Sequence, residues 1–150
     1  MKLVIDTNIL ISTLMKSDGV VGSVLLRDLQ HIEKMSCYYL YVEIFSKKDK
    51  ILKISKLAEK DLLDLLYLVI KQVNFINEAQ ISDESWLKAQ ALTQDIDVKD
   101  ISFVALSLET NAYLWTGDKI LYNGLKAQGF DKVISTTELI EMIKNNLYEK

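Results

Sequence analysis

Apolar positions along this chain alternate between short compact runs and helically spaced sets, and that alternation predicts the architecture. Leu3-Val4-Ile5 is a compact run compatible with a buried strand, and Asp6-Thr7-Asn8 behind it favour helix caps and turns. A helix is expected from Ile9 through Leu14, then a turn at Ser17-Asp18-Gly19. A second helix follows, in which Val20, Val21, Val24, Leu25 and Leu29 recur at helical spacing. The stretch Ser36 to Leu52 is mixed: Tyr38, Tyr39, Tyr41 and Val42 favour strand, the residues after Glu43 favour helix, and the helix is placed from about Tyr41. From Leu57 to Gln72 the pattern is helical and apolar over much of its circumference, with Leu62, Leu63, Leu65, Leu66, Leu68, Val69 and Ile70, which predicts a largely buried helix.

Val73-Asn74-Phe75-Ile76 reads as a strand, and a helix starts near Ser82, with Asp83 and Glu84 in its first turn, and runs to Thr93. After a loop containing Asp95, Asp97 and Asp100, the residues Ile101, Val104, Ala105 and Leu108 fall at i, i+3, i+4 and i+7. Asp100 therefore sits at or just before the start of an amphipathic helix. Ala112 to Thr116 is a strand, Gly117-Asp118 a turn, and Val133-Ile134 a last short strand. Ser135 with Glu138 can form a capping box for a helix through Leu147. Strands separated by helices predict a parallel sheet with helices on both faces. No proline, internal repeat or Ser/Gly linker divides the 150 residues, so one domain over 1–150 is expected.

Charges interrupt every apolar run well before the roughly 20 residues a membrane span needs, and the start of the chain lacks a signal-like apolar region. A cytoplasmic protein with no membrane partner is the expectation. The single cysteine, Cys37, has no Cys or His at ligand spacing and reads as a small buried hydrophobe rather than part of a zinc site. A formal net charge of −3 argues against a protein that coats nucleic acid through a basic excess. A nuclease remains compatible, because four clustered carboxylates contribute about −4 by themselves and a bound divalent cation reverses the local sign. Lys47, Lys48, Lys50, Lys53 and Lys56 crowd one short segment, either as a phosphate-facing strip or as a solvated helix face.

Ligands bind open α/β sheets outside the carboxyl ends of the strands. Asp6 follows the first strand directly and Asp118 follows the strand Ala112 to Thr116 after one glycine, so both emerge on that edge, and Asp100 opens the helix leading into that later strand. Each acid alone also reads plainly, Asp6 and Asp100 as helix caps, Asp118 as a turn former and Asp97 as a loop acid. Several carboxylates converging without a basic partner would repel one another unless a cation is bound. Oxygen ligands without Cys or His indicate Mg²⁺ or Mn²⁺, and such an ion activates water for attack at phosphorus.

Three segments carry a family resemblance. Leu3-Val4-Ile5-Asp6-Thr7-Asn8-Ile9-Leu10, the run from Asp97 through Asp100 to Leu106, and Leu114-Trp115-Thr116-Gly117-Asp118-Lys119 resemble the diagnostic motifs of the PIN-domain family, in order across nearly the whole chain. The resemblance implies a three-layer α/β/α domain with a central parallel sheet and an acidic site for Mg²⁺ or Mn²⁺. It also implies ribonuclease activity on single-stranded RNA, often as the toxin of a VapC-type, type II toxin–antitoxin pair. On it, Asp6, Asp100 and Asp118 take the places of metal ligands or ligand-orienting acids, Glu43 that of the acid on the second major helix, and Asn8 and Thr116 those of supporting polar residues. Many members carry a further acid two residues after the Gly-Asp aspartate; Ile120 stands there, so either Asp97 compensates or the site holds a single ion tightly.

The remaining candidates point elsewhere. His31, among charged and polar neighbours, reads as a surface histidine, Trp115 at a strand end as a packing residue, and Tyr38, Tyr39 and Tyr41 as a half-buried aromatic face before an RNA groove. Lys47, Lys48 and Lys50 are the candidates for holding an RNA backbone. The partners expected are single-stranded RNA, a small antitoxin protein entering the acidic groove, and, through the leucine-rich segment Leu57 to Ile70, a partner helix or a second copy of the chain. Two other functions compete. A catalytically silent PIN-like RNA- or protein-binding module is disfavoured by the retained acids, and an aspartyl-phosphate phosphatase needs an acid where Asn8 stands.

Overall fold

The computed structural model describes residues 1–145. Five short strands alternate with helices: β1 (Lys2–Ile5), β2 (Glu33–Cys37), β3 (Asn74–Ile76), β4 (Tyr113–Trp115) and β5 (Val133–Ile134). They form one sheet in the order β3-β2-β1-β4-β5, every neighbouring pair parallel. Between them run α1 (Thr7–Met15), α2 (Val20–Leu25), α3 (Tyr39–Ser55), α4 (Glu59–Ile70), α5 (Asp83–Thr93), α6 (Ile101–Thr110), α7 (Lys119–Ala127) and α8 (Thr136–Lys144). Short 3₁₀ turns lie at Glu78–Gln80 and Val98–Asp100.

A parallel sheet covered on both faces needs strands that are apolar on both sides. Leu3, Val4 and Ile5 in β1 and Leu114 and Trp115 in β4 are all fully buried. The apolar stripe of α6 seals this centre with Phe103, Val104 and Leu106, also fully buried. Trp115 packs as expected, its indole N–H donating to Thr136 Oγ1 at 3.0 Å. Cys37 is buried and His31 exposed, again as expected. The capping box at the start of α8 is complete: Glu138 N–H donates to Ser135 Oγ and Ser135 N–H to the Glu138 carboxylate. Leu147, the expected end of that helix, lies outside the described residues.

Four expectations are corrected. The segment read as mixed, Ser36 to Leu52, starts inside β2, a strand from Glu33 to Cys37 that was not expected, and α3 begins at Tyr39 rather than near Tyr41. The strand was hidden by Lys34, a charged residue at a buried position. Its ammonium donates to the carbonyls of Leu25 at 2.7 Å and Arg27 at 2.6 Å, which satisfies a group that would otherwise be excluded from the core. Burial still pushes its pKa down to about 8, against the pull of Asp28. The first carbonyl ends α2, which stops at Leu25 instead of continuing to Leu29, and the second lies two residues beyond it.

The strand read from Val73 begins at Asn74. Finally, the leucine-rich α4 is not largely buried. Only Leu62 and Val69 are, whereas Leu63, Tyr67 and Leu68 stand about half exposed or more, because α4 packs at the flank of the α1–α3 layer rather than beneath it.

The approach of α2 to the turn before it is close enough to exclude a side chain. A Cβ placed at Gly22 would lie 2.4 Å from the Ser17 carbonyl oxygen, a backbone atom that cannot swing away. Gly22→Ala is therefore expected to destabilise the protein by about 1–3 kcal/mol through forced displacement of α2; urea unfolding showing no loss would mean that the turn at Ser17 yields freely.

Candidate metal and active centre

The strand order runs outward in both directions from β1 and β4, so the crossovers on either side of this pair leave a crevice at the carboxyl ends of β1 and β4. Asp6 and Asp118 sit there. Asp6 terminates β1 in extended backbone and caps α1, its Oδ1 accepting from Ile9 N–H at 2.9 Å. Its own N–H reaches the Trp115 carbonyl at 3.4 Å, tying the crevice together at its floor. Asp118 caps α7, Oδ1 accepting from Ile120 N–H at 2.8 Å and Leu121 N–H at 3.2 Å. Thr116, buried between them, accepts from Asp118 N–H at 3.0 Å.

Two further acids reach the same place from other layers. Glu43 projects from α3, and the Thr7 hydroxyl donates to its Oε1 at 2.9 Å, linking the start of α1 to α3. Asp100 stands at the start of α6 with no capping hydrogen bond from its side chain, so the plain capping explanation fails for it while holding for Asp6 and Asp118. Asp97 is exposed and turns back on its own loop, Oδ1 accepting from Lys99 N–H at 3.0 Å. Its charge nonetheless acts on Asp100. Ile120, where a further acid was looked for, is 76% exposed beside Asp118.

Electrostatics record the convergence. Burial pushes the Asp6 carboxyl up to about 6, and the charges of Asp118 and Glu43 add to the rise. The Thr116 hydroxyl and the Ile9 N–H ease it, although Thr116 falls short of a hydrogen bond to Oδ2, which is buried without any partner. Asp100 is pushed up to about 7, by burial first and then by the charges of Asp6, Asp97, Asp118 and Glu43. Neither acid forms an ion pair among the described residues.

A divalent cation fits this donor set. The donors are hard carboxylate oxygens, their mutual repulsion is uncompensated by any ion pair, and Asp6 Oδ2 is a buried acceptor lacking a donor. Among the described residues no three His, Cys, Asp or Glu side chains form a group that could hold a metal ion. An ion of the Mg²⁺ kind takes one or two carboxylates and completes its shell with water and substrate phosphate.

The lysine strip divides. Lys47 and Lys50 line a cavity together with Asn8 and Asp118, at the edge of the acidic crevice. Lys48 points to the other side of α3 and pairs with Glu59 at 2.6 Å. Sequence reasoning did not single out Thr7, whose role shows only once α1 and α3 are packed together. Its place between Asp6 and Asn8 was the available signal.

A family model described as PIN domain matches residues 4–142. No curated protein matches the sequence. Among solved structures, VapBC-1 from nontypeable Haemophilus influenzae is similar in fold, with a TM-score of 0.64 at 16% identity over 91% of this chain and 99% of that one. VapBC2 from Rickettsia felis, solved bound to a DNA fragment from its promoter, gives a TM-score of 0.62 at 14% identity over 90% and 97%.

Both shifted carboxyls have folded-state pKa values above the ordinary 3.8. Their contribution therefore favours the fold at acid pH and is lost as pH rises through about 6 and 7. Asp6→Asn keeps an oxygen to cap Ile9 and removes the charge. In EDTA it is expected to stabilise the protein at pH 8 by roughly 1–3 kcal/mol, with a smaller gain at pH 5. Thermal or urea unfolding at the two pH values reads this; a large loss at pH 8 would mean that the Asp6 charge is favourable where it stands, contrary to the repulsion argued above.

Proposed function

This chain belongs to the PIN-domain family, and we propose that it is a metal-dependent endoribonuclease that cuts single-stranded RNA and acts as the toxin of a type II toxin–antitoxin pair. The observation that carries the reading is the convergence of Asp6, Glu43, Asp100 and Asp118 on one crevice, with a buried carboxylate oxygen left unpartnered. Asp6, Asp100 and Asp118 are the residues that would hold Mg²⁺ or Mn²⁺, with Glu43 beside them. The ion, when bound, supplies a water of lowered pKa and a Lewis acid at phosphorus.

The chain's own part is positional. Asp6 and Asp118 are each pinned through one oxygen to the first turn of a helix, so their carboxylates cannot rotate away from the crevice. Thr7 holds Glu43 in place, Thr116 fixes the backbone at Asp118, and Asn8 lies at the crevice rim. Such fixed geometry lowers the reorganisation needed when charge develops at the phosphate. RNA cleavage is expected to vanish in EDTA and return with Mg²⁺ or Mn²⁺, and Asp6→Asn or Asp118→Asn is expected to lower it by a hundredfold or more while the protein stays folded. Unchanged turnover in EDTA rules out the mechanism, and absence of any cleavage by folded, metal-loaded protein would favour the silent binding module.

The toxin reading needs a surface for an antitoxin, and an apolar groove apart from the crevice supports it. This groove, of about 550 Å³, runs between α3 and α4, walled by Tyr41, Val42, Phe45, Leu62, Leu63 and Leu66. Phe45, 81% exposed, stands there with the half-exposed Val42 and Leu63, and contiguous exposed apolar surface of this kind marks an interaction site. Both solved relatives of this fold named above are VapBC proteins, and the occupant proposed here is correspondingly an apolar segment of a small antitoxin.

Phe45→Glu is expected to weaken capture of the product of the adjacent gene by at least tenfold, and to leave RNA cleavage by the free protein unchanged. In cells, the wild-type chain alone arrests growth, Asp6→Asn does not, and the adjacent gene relieves the arrest for wild type but not for Phe45→Glu. A dimer dissociated by Phe45→Glu, with antitoxin capture intact, would assign the groove to a second copy.

A further inference from the structure

Beside Asp118 the surface closes into a second cavity, of about 330 Å³, distinct from the apolar groove across α3. Lys47 and Lys50 wall it from α3, Asn8 and Ser12 from α1, and Asp118 stands at its acidic end. Met15 and Val21 supply an apolar side. We propose that this cavity is a nucleotide subsite, holding one nucleotide of the single-stranded RNA next to the bond that is cut. The phosphate lies between Lys47 and Lys50, the ribose within reach of Asn8 and Ser12, and the base against Met15 and Val21. The inference rests on the ribonuclease reading and adds to it the place where substrate is gripped.

Charge is the first argument. A polyanion approaching four carboxylates is repelled, and cations must stand close to the acids to offset this without entering the metal site. Lys47 and Lys50 are three residues apart, on one face of α3. Neither is in an ion pair among the described residues. On the same helix Glu43 lies four residues before Lys47, so a single face carries an acid of the crevice and, one turn on, the cations of the cavity.

Lys48 provides the contrast within one turn. It lines the apolar groove on the opposite side and is engaged with Glu59. A diffuse basic field would use all three lysines alike; a built subsite uses two.

Size and lining argue for one nucleotide. The volume is at the small end of the roughly 300–1,000 Å³ of ligand pockets, room for a sugar, a base and a phosphate but not for two residues of RNA. The mixture of two ammonium groups, an amide, a hydroxyl and an apolar wall matches those three parts in turn. Lysine offers a point charge rather than arginine's planar fork, so the grip is on phosphate and tolerates any base.

The test is fluorescence anisotropy with a labelled single-stranded RNA of mixed sequence, in EDTA, in the Asp6→Asn background where cutting is blocked. Lys47→Gln with Lys50→Gln is expected to weaken binding at least tenfold and to lower the slope of log affinity against log salt by about one to two. Lys48→Gln changes affinity less than twofold. Met15→Trp, which fills the cavity, weakens binding while leaving the salt slope unchanged. The same lysine variants in the otherwise wild-type protein, assayed for cleavage with Mg²⁺, raise KM more than they lower kcat. Equal effects of Lys48→Gln and the double variant, or unimpaired binding by the double variant in a protein that cleaves RNA, overturn the subsite and leave the ribonuclease reading standing. A wild-type chain that neither binds nor cuts RNA removes both.

Discussion

Placing several carboxylates at one end of a low-dielectric sheet is the constraint around which this domain is arranged. Desolvation and like charge both disfavour ionised Asp6 and Asp100, whose pKa values rise to about 6 and about 7. The surrounding fold is correspondingly apolar and over-determined. β1 and β4 are buried on both faces, α6 lies across them, and the Asp6 N–H is tied to the backbone of the neighbouring strand. The stability of this buried centre offsets the unfavourable placement of the acids.

α3 distributes the consequences. One face presents Glu43, Lys47 and Lys50 to the acidic crevice and its adjoining cavity; another presents Val42 and Phe45 to the apolar groove; Ile44 and Ile51 anchor it to the core. A helix with three faces shows little amphipathic contrast, which is why its start and its orientation were hard to read from sequence.

How far the fold was legible depended on whether local pattern and tertiary placement agreed. β1, β4, α6 and the capping box at Ser135 were readable because their hydrophobic period and cap residues coincide with their packing. β2 was not, because Lys34 occupies an interior position and is made tolerable only by two carbonyls that the chain brings to it from the end of α2 and just beyond it. α4 misled in the other direction: its all-round leucine content predicts burial, yet Leu63 and Leu68 remain half exposed where the fold leaves a groove open. Within the candidate centre, motif spacing identified the aspartates. Thr7 and the division between Lys47, Lys48 and Lys50 depend on which helix faces which, and no spacing in the chain states that.

The choice between helix cap and metal ligand, which the sequence leaves open for each aspartate, is not a choice between exclusive roles. A carboxylate has two oxygens. At Asp6 and at Asp118 one of them satisfies the first turn of a helix, which fixes the side chain's rotamer and places it in the favourable field of the helix N-terminus. The other is left outside the capping bond, and at Asp6 it is buried with no partner among the described residues. On the metal-dependent reading proposed above, capping would orient these acids as a supporting hydrogen bond orients any ligand. Asp100 lacks that bond and has the higher pKa of the two shifted acids. On the metal-dependent reading proposed above, a bound cation would favour its ionised form.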